Sequence, residues 1–588
     1  MCGLFGAIAG PGGLPSLTEL RAARDTLLHR GPDHQGEWYT NEVYVGHTRL
    51  SIFDLSSDGH QPMVAGDGAE VLAANGEVYN FKDLRAELAR EHHFNSTSDS
   101  EVLLHGYRQW GIDELVTRID GMYAFALLDN QRRKLYLVRD RVGIKPLYYA
   151  QQDGGFAWGS ELKALRTYYG DALSIDHTAL YDYLTYQYIP SPKSMYEGVH
   201  KLPPAHLLEY DLDRGAYSVR RYYSLRTDPL EEQYASAGEL SEQLLSHLGT
   251  AVHTQLAADV PLGFFLSGGV DSSSVVALAA GHHDQLHTYA IGFDADEASE
   301  LEFAQTMASH VAATHNPATM AQERALALVE QLPTVFDEPF ADSSALPTYL
   351  VAEHAAKDLR VVLTGDGGDE VFNGYSRYNA HTRKRLTRAG PGESNWLGGL
   401  KAWNSTLRRA VRGYERYMGL GGFAYYTRLL GGLTHNEKAR YRREWQIPQD
   451  YDDYWYFRQH YDSTLPQAKA LQVLDFNTYL PDDILTKVDR TSMAHSLEAR
   501  VPLLDTKTVE FCFRLTPQQL GENKALMKNA LATRLPHSIL ARPKRGFGAP
   551  ANVWRGGIFD RRISRAEHLL VAFCPSQVPW IAETEHSS

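Results

Sequence analysis

The chain is poor in cysteine, in long apolar runs and in positive charge. Its three cysteines among 588 residues are Cys2, Cys512 and Cys574. None sits in a CxxC spacing, which removes a zinc ribbon, and three thiols are too few for a disulfide framework. So little cysteine fits a reducing, cytoplasmic setting. No run of about 18 apolar residues occurs, so no membrane span is expected. The opening Met-Cys-Gly-Leu-Phe-Gly has neither the basic nor the long apolar region of a signal peptide. That leaves the extreme N-terminus free to belong to the mature protein. A formal net charge of -14 argues against non-specific attraction to nucleic acid or to an anionic membrane. There is also no GxxxxGK[ST] phosphate loop, no internal repeat and no low-complexity tract.

What is present is enough chain for at least two hydrophobic cores. Residues 1–212 read as one domain. Short strands at Val43–Val45, Val71–Ala74, Tyr123–Leu128 and Lys134–Val138 are bounded by turn residues, and helical patterns at Leu17–His29 and Asp99–Trp110 are interleaved. That mixture predicts an α+β domain. The pattern weakens over 213–238, which reads as a linker. From 239 to 588 helix and strand alternate: a helix at Ser241–Gln255, strands at Val260–Leu266, Leu286–Phe293 and Arg360–Thr364, and a helix at Ser299–Ala312. Alternation predicts a parallel sheet covered by helices, with ligands beyond the carboxyl ends of its strands. The Arg- and Tyr-rich stretch from 380 to 461 reads as a helical insertion, and the last dozen residues as a loose tail.

A cysteine directly after the first methionine is chemically useful. Once Met1 is removed, the Cys2 α-amine, with an ordinary pKa of about 8, can take the thiol proton and activate sulfur. Taken alone, Cys2 reads equally as a small buried apolar residue. Four further segments follow in order: HRGPD (His29–Asp33), GHTRLSIFD (Gly46–Asp54), NGEVYN (Asn75–Asn80) and SDSE (Ser98–Glu101). Here the chain resembles the class II, N-terminal-nucleophile glutaminase domain of the asparagine synthetase family. The resemblance implies that Cys2 attacks the glutamine side-chain amide and releases ammonia through a thioester. It implies that Arg49 pairs with the substrate carboxylate and Asp99 with its α-ammonium. Asn75 and the Gly76 N–H would form the oxyanion hole, and Leu50, Ser51, Ile52, Phe53 and Glu77 would line the pocket. Read locally, Asp99 is also a helix cap and Asn-Gly a hairpin turn.

In the second half, Leu266-Ser267-Gly268-Gly269-Val270-Asp271-Ser272-Ser273 follows an apolar strand and opens a helix. Two glycines let successive N–H groups point at an anion, and the helix N-terminus adds positive charge, which suits pyrophosphate. A second acidic turn is Thr364-Gly365-Asp366-Gly367-Gly368-Asp369-Glu370. Both resemble the ATP-pyrophosphatase domain of the same family. This implies an α+β glutaminase domain joined to an α/β parallel-sheet ATP-pyrophosphatase domain with helical additions. By resemblance, Leu266, Ser267, Gly268, Gly269, Asp271, Ser272, Ile291, Thr364 and Gly365 would hold ATP, and Asp271 and Asp369 would hold Mg2+. Lys544 would neutralise charge as an acyl adenylate forms. Asp366 stands where some members carry a catalytic Glu. Leu480–Asp505 is a further match expected to supply helices around this site. DEPFADSSALPTYL (Asp337–Leu350) resembles an acceptor-side segment.

The implied cycle adenylates a carboxylate and carries ammonia to it through an apolar-walled tunnel. Aspartate is the expected acceptor; another carboxylate, as in natural-product amidotransferases, is the alternative. A non-catalytic scaffold and a peptide-cyclising relative are readings of other classes. The full set of glutaminase residues speaks against both. Small-molecule substrates, no nucleic acid, no membrane and a homodimer by family analogy complete the expectation.

Overall fold

In the computed structural model, which describes residues 1–230, 236–282, 285–293, 300–378, 422–543 and 564–579, the branched and aromatic runs of the first domain form two antiparallel six-stranded sheets. From edge to edge the first comprises Val199–Lys201, Tyr148–Gln152, Gly155–Gly159, Cys2–Ile8, Val43–Arg49 and His34–Tyr39. The second comprises Ala216–Arg221, His206–Asp211, Lys134–Arg139, Gly121–Asp129, Glu70–Val78 and Met63–Val64. The sheets stack through Leu4, Ile8, Val43 and Val45 on one side and Val71, Ala73, Ala124 and Leu137 on the other. Their outer faces are covered too. Helices Leu17–Asp25 and Leu162–Tyr169 pack on the first sheet, and Phe81–Leu88 and Glu101–Arg118 on the second. Central strands buried on both faces cannot alternate apolar and polar residues. Cys2–Ile8 and Val43–Arg49 are therefore buried along their whole lengths.

The expected linker at 213–238 needs correction, because Ala216–Arg221 pairs with His206–Asp211 as the outermost strand of the second sheet. Its side chains are almost all solvated, as suits a sheet edge, so no apolar alternation marked it. The following helix, Ala237–Gln255, starts where the Ser236 hydroxyl accepts from the Glu239 N–H.

The third sheet is wholly parallel, in the order Thr314–Met320, His287–Phe293, Leu262–Phe265, Val361–Leu363 and Glu498–Arg500. Its last strand lies inside Leu480–Asp505, the stretch expected to be helical. That stretch forms a π-helical turn (Leu480–Leu485) and a helix (Thr486–Met493) before the strand. Of the expected insertion, residues 379–421 lie outside the described residues. The remainder forms short helices at Gly422–Leu430, Ala439–Glu444 and Trp455–His460. Most of the expected tail is also outside. Among the described residues, no helix is long and apolar enough to cross a membrane.

The two halves meet through buried charge. Arg30, fully enclosed, donates Nε–H to the Cys2 carbonyl at 3.0 Å and Nη1–H to Glu161 at 2.7 Å. It also grips both oxygens of Asp489, at 2.8 and 3.0 Å. Arg490 pairs with Glu161 at 2.7 Å and with Asp337 at 3.3 Å, and Lys163 joins Glu161 at 2.7 Å. Removing one member of a buried ion set leaves an uncompensated charge, which costs about 3–5 kcal/mol. Asp489→Asn keeps the shape and removes the charge. It is expected to lower the urea unfolding midpoint by an amount equivalent to roughly that energy. An unchanged midpoint would show that the set adds nothing to stability.

Candidate active sites

Cys2 lies in a central strand, paired across the sheet with Arg49. Its backbone N–H donates to Asn75 Oδ1 at 2.9 Å. That bond orients the amide, leaving Asn75 Nδ2 buried without a hydrogen-bond partner. The neighbouring Gly76 has φ 135°, where a Cβ would collide with the Met122 carbonyl, so the position requires glycine. Cys2, Asn75 and Gly76 thus meet where the two stacked sheets touch. Burial pushes the Cys2 thiol up, opposed by the Met1 ammonium, the Leu50 N–H and Arg49.

The expected glutamine pocket surrounds this point. Arg49 donates to the carbonyls of Ser56 at 2.9 Å, Phe53 at 3.1 Å and Asp54, leaving two of its five donors. Leu50 N–H donates to the Met1 carbonyl at 3.1 Å and Ser51 N–H to Asp33 at 2.8 Å. The Ile52 carbonyl accepts from Asp259 of the second domain at 3.0 Å. Asp99 is not a cap: its carboxylate accepts from Val78 N–H at 2.7 Å, and the helix begins at Glu101. Burial pushes the Asp99 carboxyl up. Burial and the negative charges of Glu498 and Asp99 push Glu77 well above its ordinary value.

Glu77, Glu498, Arg500 and the Met1 ammonium form one group. Met1 meets Glu498 at 3.0 Å with both groups fully enclosed; Arg500 lies 2.6 Å from Glu498 and 3.8 Å from Glu77. Sequence reading missed Glu498 and Arg500. They lie in SLEAR, and only the parallel sheet carries that strand to the glutaminase side.

Beyond the carboxyl ends of the parallel sheet opens a cavity of about 890 Å³. Leu266, Ser267, Gly269, Asp271, Ser272, Ile291, Thr364, Gly365, Asp366 and Asp369 all line it; Gly268 does not, and faces Phe303 and Ala304 instead. The two glycine-rich turns touch: a Cβ on Gly365 would stand 2.5 Å from Ser272 N, and one on Gly368 2.5 Å from Asp271 Oδ1. Helix Val270–Ala279 starts at Gly269 and aims its N-terminus into the cavity. Lys544 lies outside the described residues.

Four cavity residues were given no role of their own by the sequence: Asp342 and Lys487, within Asp337–Leu350 and Leu480–Asp505, and Lys524 and Arg542. Lys487 Nζ donates to Asp342 at 3.0 Å and Ser344 at 2.7 Å. Burial would raise Asp342, but Lys487 and the Ser344 donors outweigh it and hold that carboxyl at about 2. Burial pushes Asp366 up, against the pull of Lys487. Glu370, buried beside Asp369, is pushed up to about 7. Asp337–Leu350 thus serves both places, with Asp337 at the domain boundary and Asp342 in the cavity.

Comparison with known proteins matches residues 1–223 to the glutamine amidotransferase domain family and residues 243–568 to asparagine synthase. A putative glutamine-hydrolysing asparagine synthetase of Mycobacterium tuberculosis is 33% identical over 598 residues, covering 94% of this chain and 88% of that protein. The glutamine-hydrolysing asparagine synthetase 1 of Bacillus subtilis is 31% identical, covering 91% and 84%. Amidase chry2 of Gibberella zeae is 25% identical, covering 96% and 91%.

In protein that retains Met1, the Met1–Glu498 contact has a pH signature. Burial raises the Glu498 carboxyl, but the Met1 ammonium, Arg500 and Lys145 outweigh it and hold it at about 2, below the ordinary 4.5. A carboxyl held down in the folded state stabilises above its unfolded pKa and loses that contribution as pH falls. Stability should therefore decline from about pH 4.5 towards pH 2. Glu498→Gln is expected to be less stable at neutral pH and to show a shallower acid limb over that window, read as urea midpoint against pH. Parallel curves would refute the assignment.

Proposed function

This chain belongs to the glutamine-hydrolysing asparagine synthetase family, and from that premise we propose that it makes L-asparagine, L-glutamate, AMP and pyrophosphate from L-aspartate, L-glutamine, ATP and water. One observation carries the reading: a buried cysteine whose N–H holds Asn75 by its oxygen, leaving the amide donor for a developing oxyanion.

In the glutaminase half, loss of Met1 turns the Cys2 peptide nitrogen into an α-amine. That amine takes the thiol proton, and sulfur attacks the glutamine amide carbon. The oxyanion rests on Asn75 Nδ2–H and Gly76 N–H, donors fixed in advance by the sheet. The proton passes to the departing ammonia, and water then cleaves the thioester to glutamate. Arg49 offers its two remaining donors to the substrate carboxylate, with the Leu50–Phe53 backbone beside it. The Glu77–Asp99 pair faces the α-ammonium.

In the second half, the Ser267–Ser272 turn cradles the phosphates, while Leu266, Ile291, Thr364 and Gly365 flank adenosine. No group of three or more His, Cys, Asp or Glu among the described residues could hold a metal alone. A pair of hard oxygen ligands completed by phosphate oxygens and water is, however, how Mg2+ is commonly bound. Asp271 and Asp369 fit that pattern, since one lysine ammonium touches both. They would hold Mg2+, which when bound neutralises phosphate charge. Asp366, with its carboxyl raised by burial, stands ready to exchange a proton with the attacking ammonia; Lys544 is assigned to the acyl adenylate. The two sites share one apolar cluster, from Leu50, Ile52 and Ile144 to Leu266 and Leu363, through which ammonia would pass. A void of about 10 Å³ beside Ile144 and Asp489 is near the lower limit for one water.

The second reading keeps this chemistry with a different carboxylate. It is favoured by the full-length likeness to a protein named as an amidase. A cytoplasmic homodimer completes the reading. Pyrophosphate release is the direct test: aspartate should stimulate it and yield asparagine, and stimulation only by another acid would select the second reading. Cys2→Ala is expected to lower glutamine-dependent synthesis on the order of 10³-fold while leaving synthesis from ammonium chloride intact. Unchanged glutamine use would remove Cys2 from the mechanism.

A further inference from the structure

Lys524 reaches the phosphate cavity from outside every motif in it. Its ammonium contacts Asp271 and lies 2.7 Å from Asp369 Oδ1, with only 9% of the side chain exposed. Much of the local backbone serves this placement. Lys524 has φ 62° and the preceding Asn523 φ 53°, two consecutive non-glycine residues in the left-handed region, which is unfavourable for both. Asn523 N–H donates at 3.1 Å to the carbonyl of Asn373, itself at φ 54°. Next to Asn373, a Cβ on Gly374 would collide with both Asp369 Oδ1 and Lys524 Cε. Glycine there lets the lysine lie against the aspartate.

The charges around the cavity give this lysine a distinct task. Its lining includes the carboxylates Asp271, Glu300, Asp342, Asp366, Asp369 and Glu370. Glu300 pairs with Arg542 and Asp342 with Lys487. Among the described residues, Lys524 is a cation set between Asp271 and Asp369, the position assigned above to a divalent ion. A divalent ion entering alone would place three positive charges on two carboxylates, with the buried ammonium opposing the ion. Entering with a triphosphate, it brings enough negative charge to compensate both.

We propose that Lys524 is a resident cation that keeps divalent metal off Asp271 and Asp369 in the nucleotide-free enzyme, and yields them only when metal and triphosphate arrive together. Its ammonium then moves onto a phosphate oxygen. Metal and nucleotide therefore bind with positive coupling, to which this side chain contributes. The proposal rests on the metal assignment of Asp271 and Asp369 made above.

Mn2+ binding by the full-length protein, followed through the electron paramagnetic resonance of the free ion, tests it. Titrations are run with and without an ATP analogue carrying a methylene between the α and β phosphorus atoms. Wild type should bind Mn2+ weakly alone and more tightly with the analogue. Lys524→Met should bind Mn2+ alone about tenfold more tightly, with the enhancement by the analogue correspondingly reduced. Lys524→Arg, which keeps the charge, should retain the wild-type pattern. Circular dichroism and thermal melting establish that the variants are folded, and Lys524→Gln carries the same expectation should the methionine variant fail. Folded Met or Gln variants that bind Mn2+ alone no more tightly than wild type would overturn the proposal, as would equal tightening in Lys524→Arg. Asp271→Asn and Asp369→Asn separate the two assignments. If they leave Mn2+ binding with the analogue unchanged, the metal assignment itself falls.

Discussion

A guanidinium with no access to water holds the two halves of this molecule in register. Arg30 bridges the Cys2 carbonyl, Glu161 and both oxygens of Asp489. Asp489 sits on helix Thr486–Met493, the helix that sends Lys487 into the phosphate cavity. A few residues later, Glu498 and Arg500, two positions apart and so on one face of their strand, reach Met1 and Glu77. One short run of chain therefore touches the nucleophile's strand, the glutamine pocket and the adenylation cavity. Buried ions are tolerated only in complete sets, because an incomplete one leaves charge in a low dielectric. The geometry of either site is consequently tied to correct docking of both domains.

This arrangement explains which features were legible in the sequence. Residues whose role is local declared themselves: the Ser267–Ser272 turn after an apolar strand, and the buried runs around Val43 and Val71. The edge strand Ala216–Arg221 was not visible, because a solvated edge needs no apolar alternation. Strand Glu498–Arg500 was hidden because it carries two charges, and a three-residue buried strand bearing a glutamate and an arginine fits no strand pattern. Both charges are there for partners hundreds of positions away. Asp99 showed the reverse case. A helix follows it, so a cap was the plain local reading, yet its carboxylate turns to Val78.

Motif resemblance does not by itself separate structural residues from functional ones. HRGPD carries part of the family resemblance, and its parts are largely structural. His29 and Arg30 reach Glu161, Gly31 lies against the Thr48 carbonyl, and Asp33 receives the Ser51 N–H. Likewise Asp337 belongs to the domain boundary while Asp342, five positions later, belongs to the cavity. Lys524 lies 253 positions from Asp271 and has no motif around it; only the folded backbone brings them together.

Both sites temper buried negative charge before a ligand arrives. Near Cys2, burial and neighbouring carboxylates disfavour the charged form of Glu77 before an ammonium arrives. In the phosphate cavity, Lys524 offsets one of the two charges of Asp271 and Asp369 before a metal–triphosphate arrives. There the incoming charge substitutes for one already present. Adding an uncompensated charge to a buried site costs several kcal/mol, whereas exchanging one cation for another does not create that penalty. The same substitution gives selectivity: a ligand lacking the replacing charge leaves the resident ammonium where it was and gains nothing from the carboxylates. A buried polar site built this way stays stable when empty, which two sites sharing one apolar cluster and one ionic boundary require.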